Sequence, residues 1–267
     1  MLRSMYSGIS GMKNFQTKLD VIGNNIANVN TYGFKKGRVT FKDAISQSIS
    51  GASAAGTNRG GTNPTQVGLG STLSTIDIVD TQSSMQTTGR TLDLAIDGDG
   101  YFAVQEGTDP NKIYYTRAGN FYLDEEGNLV NGDGLFVLDE AGNHITISAD
   151  DYASFSIDSN GVISGVANEG KTVTDKTIRI TKFNNPAGLT KVGGNLYQKS
   201  NNSGDPIDAK AGDKGCGSVN AGYLEMSNVD LSEEFTEMIV AQRGFQANTR
   251  IITTSDEILQ ELINLKR

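Results

Sequence analysis

From Leu2 onward the apolar residues Leu2, Met5, Ile9, Met12, Phe15, Leu19, Ile22 and Ile26 fall three or four positions apart. That spacing puts them on one stripe of a helix, so the chain is expected to open with an amphipathic helix. The helix should stop near Asn28-Val29-Asn30-Thr31-Tyr32-Gly33, because asparagine and glycine tolerate the left-handed backbone that ends a helix. The same spacing returns at the other end in Leu231, Phe235, Met238, Phe245, Ile252, Leu259 and Leu262, with Asp230 and Glu233 placed as a capping-box-like start. In heptad register the core positions also take in Gln16, Gly23, Gln242, Thr249 and Asp256, a poorer seam than a self-sufficient coiled coil needs. The two stripes are therefore expected to pack on each other and on further copies of the chain.

Between the helices the period changes. Leu92-Asp93-Leu94-Ala95-Ile96-Asp97 alternates apolar with polar, and Asp97-Gly98-Asp99-Gly100 supplies turn residues before Tyr101-Phe102-Ala103-Val104, which predicts a hairpin. Turn residues recur at Glu126-Gly127-Asn128, Asn131-Gly132-Asp133-Gly134, Ala141-Gly142-Asn143, Asn160-Gly161 and Gly193-Gly194-Asn195, bracketing short apolar runs. The middle of the chain thus reads as all-β. Ser46 to Asn63 is rich in Ser, Gly, Ala, Thr and Asn and offers little to bury, as a linker or extended arm would. The predicted fold class is α+β. Residues 1–30 and 230–267 form a coiled-coil-like inner domain of paired terminal helices, residues 31–75 an extended linker arm, and residues 76–229 an inserted β-rich outer domain.

Composition narrows the functions available. With 23 basic against 31 acidic residues and a net charge of -8, the chain lacks the basic footprint that nucleic acid requires. One cysteine among 267 residues excludes an intramolecular disulfide. The start, Met1-Leu2-Arg3-Ser4-Met5-Tyr6-Ser7-Gly8, lacks the apolar core of a secretory signal, and no run is long enough to span a membrane, so the default expectation is a soluble, cytoplasmic protein. A hydrophobic content of 36%, with 32 glycines and no tryptophan, points to many turns and a thin supply of core material that neighbours could complete.

Candidate chemistry is sparse. His144 lies in a turn-like stretch with no serine or cysteine spaced to pair with it, and reads as a surface residue. Cys216, beside Lys214, reads as a small residue in a glycine-rich turn. Asp97-Gly98-Asp99-Gly100 and Asp124-Glu125-Glu126-Gly127-Asn128 lack the ligand spacing of a calcium loop and read as β-turns. Gly68-Leu69-Gly70-Ser71-Thr72 lacks the lysine of a phosphate loop. No catalytic residue, cofactor or metal ligand is assigned, and the chain is expected not to be an enzyme.

The stretch Asp20-Val21-Ile22-Gly23-Asn24-Asn25-Ile26-Ala27-Asn28-Val29-Asn30-Thr31-Tyr32-Gly33-Phe34-Lys35 resembles the signature of the flagellar rod, hook and hook-associated family. Gly98-Asp99-Gly100-Tyr101-Phe102, Thr116-Arg117-Ala118-Gly119-Asn120-Phe121 and Gly222-Tyr223-Leu224-Glu225-Met226-Ser227-Asn228-Val229-Asp230-Leu231 are similar to further stretches of the same family, in family order. The resemblance implies export through the flagellar type III apparatus without a cleaved signal, then helical polymerisation beneath a cap, with the terminal helices forming an inner tube and the β domain an outer layer. This replaces the cytoplasmic default. Within the family, Gly60-Gly61-Thr62-Asn63-Pro64-Thr65-Gln66-Val67-Gly68-Leu69-Gly70 resembles the hook branch in a short form, which implies an extracellular universal joint with a central export channel. The distal rod of the basal body is the alternative, and a non-flagellar surface adhesin the second. The implied partners are copies of the chain, adjacent rod and hook-filament junction proteins, the hook cap and the export apparatus.

Two residue sets follow as candidates. Met5, Ile9, Met12, Leu19, Ile22, Ile26, Phe235, Met238, Phe245, Ile252 and Leu259 are the expected subunit-packing positions. Asn24, Asn25, Asn28, Asn30, Thr31, Gly33 and Phe34 carry the family motif. The arm, with Gly33, Gly37, Gly51, Gly56 and Gly60, is expected to let outer domains shift during bending.

Overall fold

The computed structural model describes residues 2–54, 60–107, 112–147, 152–167 and 172–265. Gly56 of the expected arm lies outside these residues. The fold mixes two long helices with antiparallel strands, an α+β architecture. The chain divides into two units, one of residues Met1–Ala27, Gly37–Ile78 and Asp230–Arg267, the other of residues Asn28–Lys36 and Val79–Val229. The backbone therefore passes between units after Ala27, after Lys36, after Ile78 and after Val229.

In the first unit, α1 spans Leu2–Ala27 and α2 spans Leu231–Asn264. Asp230 is the N-cap of α2, its carboxylate accepting from Ser232 N at 2.8 Å and Glu233 N at 3.4 Å, which satisfies donors that a helix start leaves open. Glu233 and Glu234 then sit in the first turn, where the helix dipole favours negative charge. The helices run antiparallel side by side: Gly8 lies against Ile252, Met12 against Thr249, and Lys18 pairs with Glu237 at 3.0 Å.

The segment expected as an extended linker arm is built differently. Strands β1 (Gly37–Asp43), β2 (Ser46–Ser50), β3 (Thr65–Gly68) and β4 (Ser71–Ile78) pair antiparallel, β1 with β4 and β2 with β3. The bridge Ser53 to Thr62 continues the pairing toward the tip. Alternating Ser and Thr with Val and Ile suits a two-stranded ribbon, so small polar composition here supports strand pairing where a linker was expected. The ribbon is fixed to α1 by Asn14 Nδ2, which donates to Ser71 Oγ at 2.8 Å, and by the rings of Phe15 and Phe41, 6.3 Å apart.

The second unit is β-rich and has its own core. Its leading strands are β5 (Met85–Thr87), β6 (Leu94–Asp97), β7 (Tyr101–Gln105) and β8 (Ile113–Thr116). All five residues of β7 are buried, and it pairs with β8, with Phe136–Val137 and with Ile180–Lys182. A strand covered on both faces reads as a continuous apolar run, as Tyr101-Phe102-Ala103-Val104 does. Phe102 meets Phe121 edge to face at 5.2 Å, among Leu94, Ile96, Val104, Leu129, Ile145, Ile178 and Val219. The end of the unit returns to its beginning: Ser218–Ala221 pairs with β6, and Tyr223–Glu225 with β5.

Candidate functional site

The helix pair is held by small and polar residues as much as by the apolar stripe. On α2 the buried residues are Glu234, Ala241 and Ser255, at successive intervals of seven and fourteen positions, and Asn248 falls on the same line. A Cβ on Gly244 would come within 2.6 Å of the Phe15 ring, and one on Gly11 within 2.9 Å of Asn248 Nδ2. The backbones approach closely where side chains are short. Of the predicted packing positions, Ile22 is buried, while Met5, Ile9, Met12, Leu19 and Ile26 on α1 and Met238, Phe245, Ile252 and Leu259 on α2 are half-buried. Phe235 is 49% exposed, and Leu231, Ile239, Ile258 and Leu262 are further large apolar residues of α2 that this chain leaves exposed.

The family motif splits between the two units. In the first, Asn25 is 2% exposed and mimics a backbone: its Oδ1 accepts from Gly37 N at 3.0 Å and its Nδ2 donates to Gly37 O at 2.9 Å and to Glu234 Oε2 at 3.1 Å. One amide thus ties the end of α1, the start of β1 and the first turn of α2, satisfying polar groups that would otherwise be buried alone. Asn24 lies on the exposed side of α1.

In the second unit, Asn28 and Thr31 form the turn that ends the helix, Thr31 N donating to Asn28 O at 3.1 Å and the Thr31 hydroxyl to Asn28 Oδ1 at 3.1 Å, with Asn30 exposed at its tip. Gly33 has φ +67, and a Cβ there would come within 2.6 Å of Arg117 C. Only glycine fits both the left-handed backbone and the approach. Phe34 is buried, with Lys191 Nζ 4.6 Å from its ring centroid. Burial lowers the pKa of Lys191.

Next to the motif lies a buried ionic cluster that periodicity did not reveal. Lys35 Nζ donates to Glu225 Oε1 at 2.7 Å and to Thr81 O at 2.8 Å, with Asp80 Oδ1 at 3.8 Å. Arg117 Nη1 lies 3.3 Å from Glu225 Oε2, and its guanidinium donates to Ile96 O and Gly98 O. Tyr101 donates its hydroxyl to Asp80 Oδ2 at 2.9 Å. Desolvation, with the Asp80 charge beside it, pushes the Tyr101 pKa well above the ordinary tyrosine value. Two cations face two carboxylates, so the charges balance, and each charged group makes at least one hydrogen bond, while Asp80 Oδ1, Glu225 Oε2 and Arg117 Nε find no hydrogen-bond partner among the described residues. Nothing in the arrangement resembles a nucleophile and its base. It is a clamp that fastens residues 33–36 to Glu225 and Asn228, whose Oδ1 accepts from Lys36 N at 2.7 Å. Lys35, Arg117 and Glu225 stand within the family-like motifs, but nothing in those motifs marks them as partners.

The remaining chemical candidates are also structural in their contacts. His144 stacks on Phe136 at 4.3 Å between centroids, with Nε2 3.1 Å from Gly107 O. Cys216 is a buried free thiol, its pKa raised by burial against the opposing effect of Lys182 and Lys214. No metal-ligating cluster occurs among the described residues, and no helix there is long and apolar enough to cross a membrane.

Residues 5–35 match the family described as flagella basal body rod protein, residues 95–165 the flagellar hook protein FlgE/F/G D1 domain, and residues 220–265 the flagellar basal body rod FlgEFG protein C-terminal. The chain is 64% identical over 268 residues to the flagellar basal-body rod protein FlgG of Bacillus subtilis (strain 168), covering 100% of both chains. In Borreliella burgdorferi (strain ATCC 35210 / DSM 4680 / CIP 102532 / B31) it is similar to two proteins, each covered in full. The basal-body rod protein FlgG is 37% identical over 284 residues, and the flagellar hook protein FlgE 31% identical over 444. These identities favour the distal-rod alternative over the expected hook branch. The stretch Gly60 to Gly70, which suggested the hook, contains β3 and the turn to β4. They likewise displace the adhesin alternative, because the terminal motifs and the β domain all match flagellar components: the chain belongs to the family of flagellar rod and hook axial structural proteins.

Proposed function

We propose that this chain is a subunit of the distal rod of the bacterial flagellar basal body, where it assembles with copies of itself and adjoins the neighbouring axial proteins. The observation that carries this reading is length together with identity: the Bacillus subtilis rod relative aligns over 268 residues with a chain of 267, whereas the Borreliella hook relative needs 444. A hook of that kind has sequence for which this chain has no counterpart. On this reading the chain reaches its place through the flagellar export apparatus without a cleaved signal, and acts by packing, with no reaction of its own.

The exposed apolar side chains of α2 support polymerisation through the terminal helices. Phe235, Ile239, Ile258 and Leu262 are each about half exposed, and covering the exposed half of such a side chain is worth roughly 0.7–1.5 kcal/mol. In the assembled rod, α1 and α2 pair in coiled-coil-like fashion and form the inner layer, with the β-rich unit as the outer domain. Electron microscopy of basal structures from cells lacking this protein tests the assignment. Shortened rods are expected; rods of full length that end without a hook would transfer the chain to the hook.

A further inference from the structure

Asn-Gly occurs twice in this chain, at Asn131-Gly132 and Asn160-Gly161, and the fold treats the two dipeptides differently. In this dipeptide the glycine nitrogen can attack the asparagine side-chain carbonyl, because no Cβ on the following residue hinders the approach. At Asn131 the path is open. Gly132 is exposed, a Cβ there would meet nothing within 4 Å, and its backbone N–H makes no hydrogen bond among the described residues. Asn131 Oδ1 accepts from Asp133 N at 3.0 Å and Leu135 N at 2.9 Å. Paired N–H donors polarise a carbonyl and stabilise the oxyanion that forms when it is attacked.

At Asn160 the same atoms are engaged. Gly161 is buried with φ +72, its N–H donates to Asp158 O at 2.8 Å, and its carbonyl accepts from Ile178 N at 2.8 Å. The side-chain amide of Asn160 donates to Asp158 Oδ2 at 3.3 Å. A nitrogen that is already donating must give up that bond before it can lose its proton and attack.

We propose that Asn131 is a site of spontaneous, water-driven modification, cyclising to a succinimide that opens to aspartate and isoaspartate, while the fold protects Asn160. The Gly132 nitrogen loses its proton to solvent base and bonds to Asn131 Cγ; the Cγ–Nδ2 bond breaks and ammonia leaves. Water then adds to either imide carbonyl, so the net change is water consumed and ammonia released, with no redox step. Opening at Cγ restores the normal backbone and keeps an acceptor for the Asp133 and Leu135 N–H groups, but adds a negative charge beside Asp133. Opening at the backbone carbonyl lengthens the main chain by one carbon inside a turn whose flanks, Val130 and Phe136, are paired.

The test is a time course on the folded full-length chain at neutral pH, with each asparagine followed by peptide mass spectrometry, beside a sample held in denaturant. In the folded chain Asn131 should convert about tenfold faster than Asn160, a barrier difference of about 1.4 kcal/mol. In denaturant the two rates should converge. The variant Gly132→Ala, which has room for its methyl group, should fold and slow conversion at Asn131. Equal rates in the folded chain, or an unchanged Asn131 while Asn160 converts, would overturn the proposal.

Discussion

The ammonium of Lys35 and the carboxylate of Glu225 meet at 2.7 Å with side chains 1% and 0% exposed, joining positions 190 residues apart in the chain. Neither charge is tolerable there alone, because a buried ion without its partner keeps the desolvation cost and loses the attraction. The pair therefore makes the β-rich unit depend on residues from both ends of its own sequence.

Glu225→Gln is expected to destabilise that unit by about 3–5 kcal/mol, leaving Lys35 with Asp80 alone at 3.8 Å and taking from Arg117 the carboxylate it faces. Denaturant unfolding measures the loss. Labelling of Cys216, buried in the same core, gives a second readout and should accelerate with it. Stability equal to that of the parent would mean that the cluster is peripheral to the fold.

Asn25→Ala removes the bonds to Gly37 and Glu234 and strands the Gly37 backbone groups. The cost should be about 1–3 kcal/mol, confined to the helical unit. Hydrogen exchange should therefore quicken in α1 and β1 while β7 keeps its protection. Uniform quickening across both units would contradict a local role for this amide.

Gly33→Ala must place a Cβ at φ +67 against the Arg117 backbone, which has no flexible end to move aside. A loss of more than about 1 kcal/mol is expected, larger than for alanine at an unstrained loop glycine. Gly132→Ala is the internal comparison, since its position is open. Similar thermal midpoints for the two variants would refute the steric argument.

Alkaline pH should weaken the β-rich unit. Burial raises the pKa of Tyr101 and of Tyr197 and pushes Tyr115 up to about 12, all from 10.0. Each folded-state proton is held more tightly than its unfolded counterpart, so the stabilisation is complete below pH 10.0 and is withdrawn as pH rises above it, for Tyr115 until about 12. Each tyrosine contributes a slope of about 1.4 kcal/mol per pH unit. Unfolding curves between pH about 9 and about 11 should show the decline, and Tyr115→Phe should reduce its slope. An unchanged slope would remove Tyr115 from the account.

Phe235→Asp should leave the fold intact, because the side chain is half exposed, yet abolish polymerisation. Ile22→Asp, at 3% exposure, should cost the fold itself. Sedimentation and circular dichroism separate the two effects. Normal tubes from a folded Phe235→Asp protein would exclude this face from the assembly.

What could be read from the sequence follows what is periodic. The helices announce themselves because an apolar residue every three or four positions has one simple structural meaning, and Asp230 marks the start of α2 for an equally local reason. The seam between them was harder to see. Gly11 on α1 and Ala241, Gly244 and Ser255 on α2 let the two helices come close because they are small, and a search for hydrophobic size passes over them. The ribbon at residues 37–78 was hidden by its polar composition, since pairing satisfies its backbone whether or not a core covers it. The ionic cluster left no local trace, because Lys35, Asp80, Arg117 and Glu225 come together only through the topology of the sheet.

The chain also moves from one unit to the other after Ala27, Lys36, Ile78 and Val229. A protease that nicked a single one of these crossings would release nothing under native conditions. After a cut between Ile78 and Val79, for instance, residues 28–36 would still be gripped through Lys35 and Glu225, and α1 and α2 would still be paired. Resistance to fragmentation here is a property of threading, and it would hold even where the exposed backbone is freely cleaved.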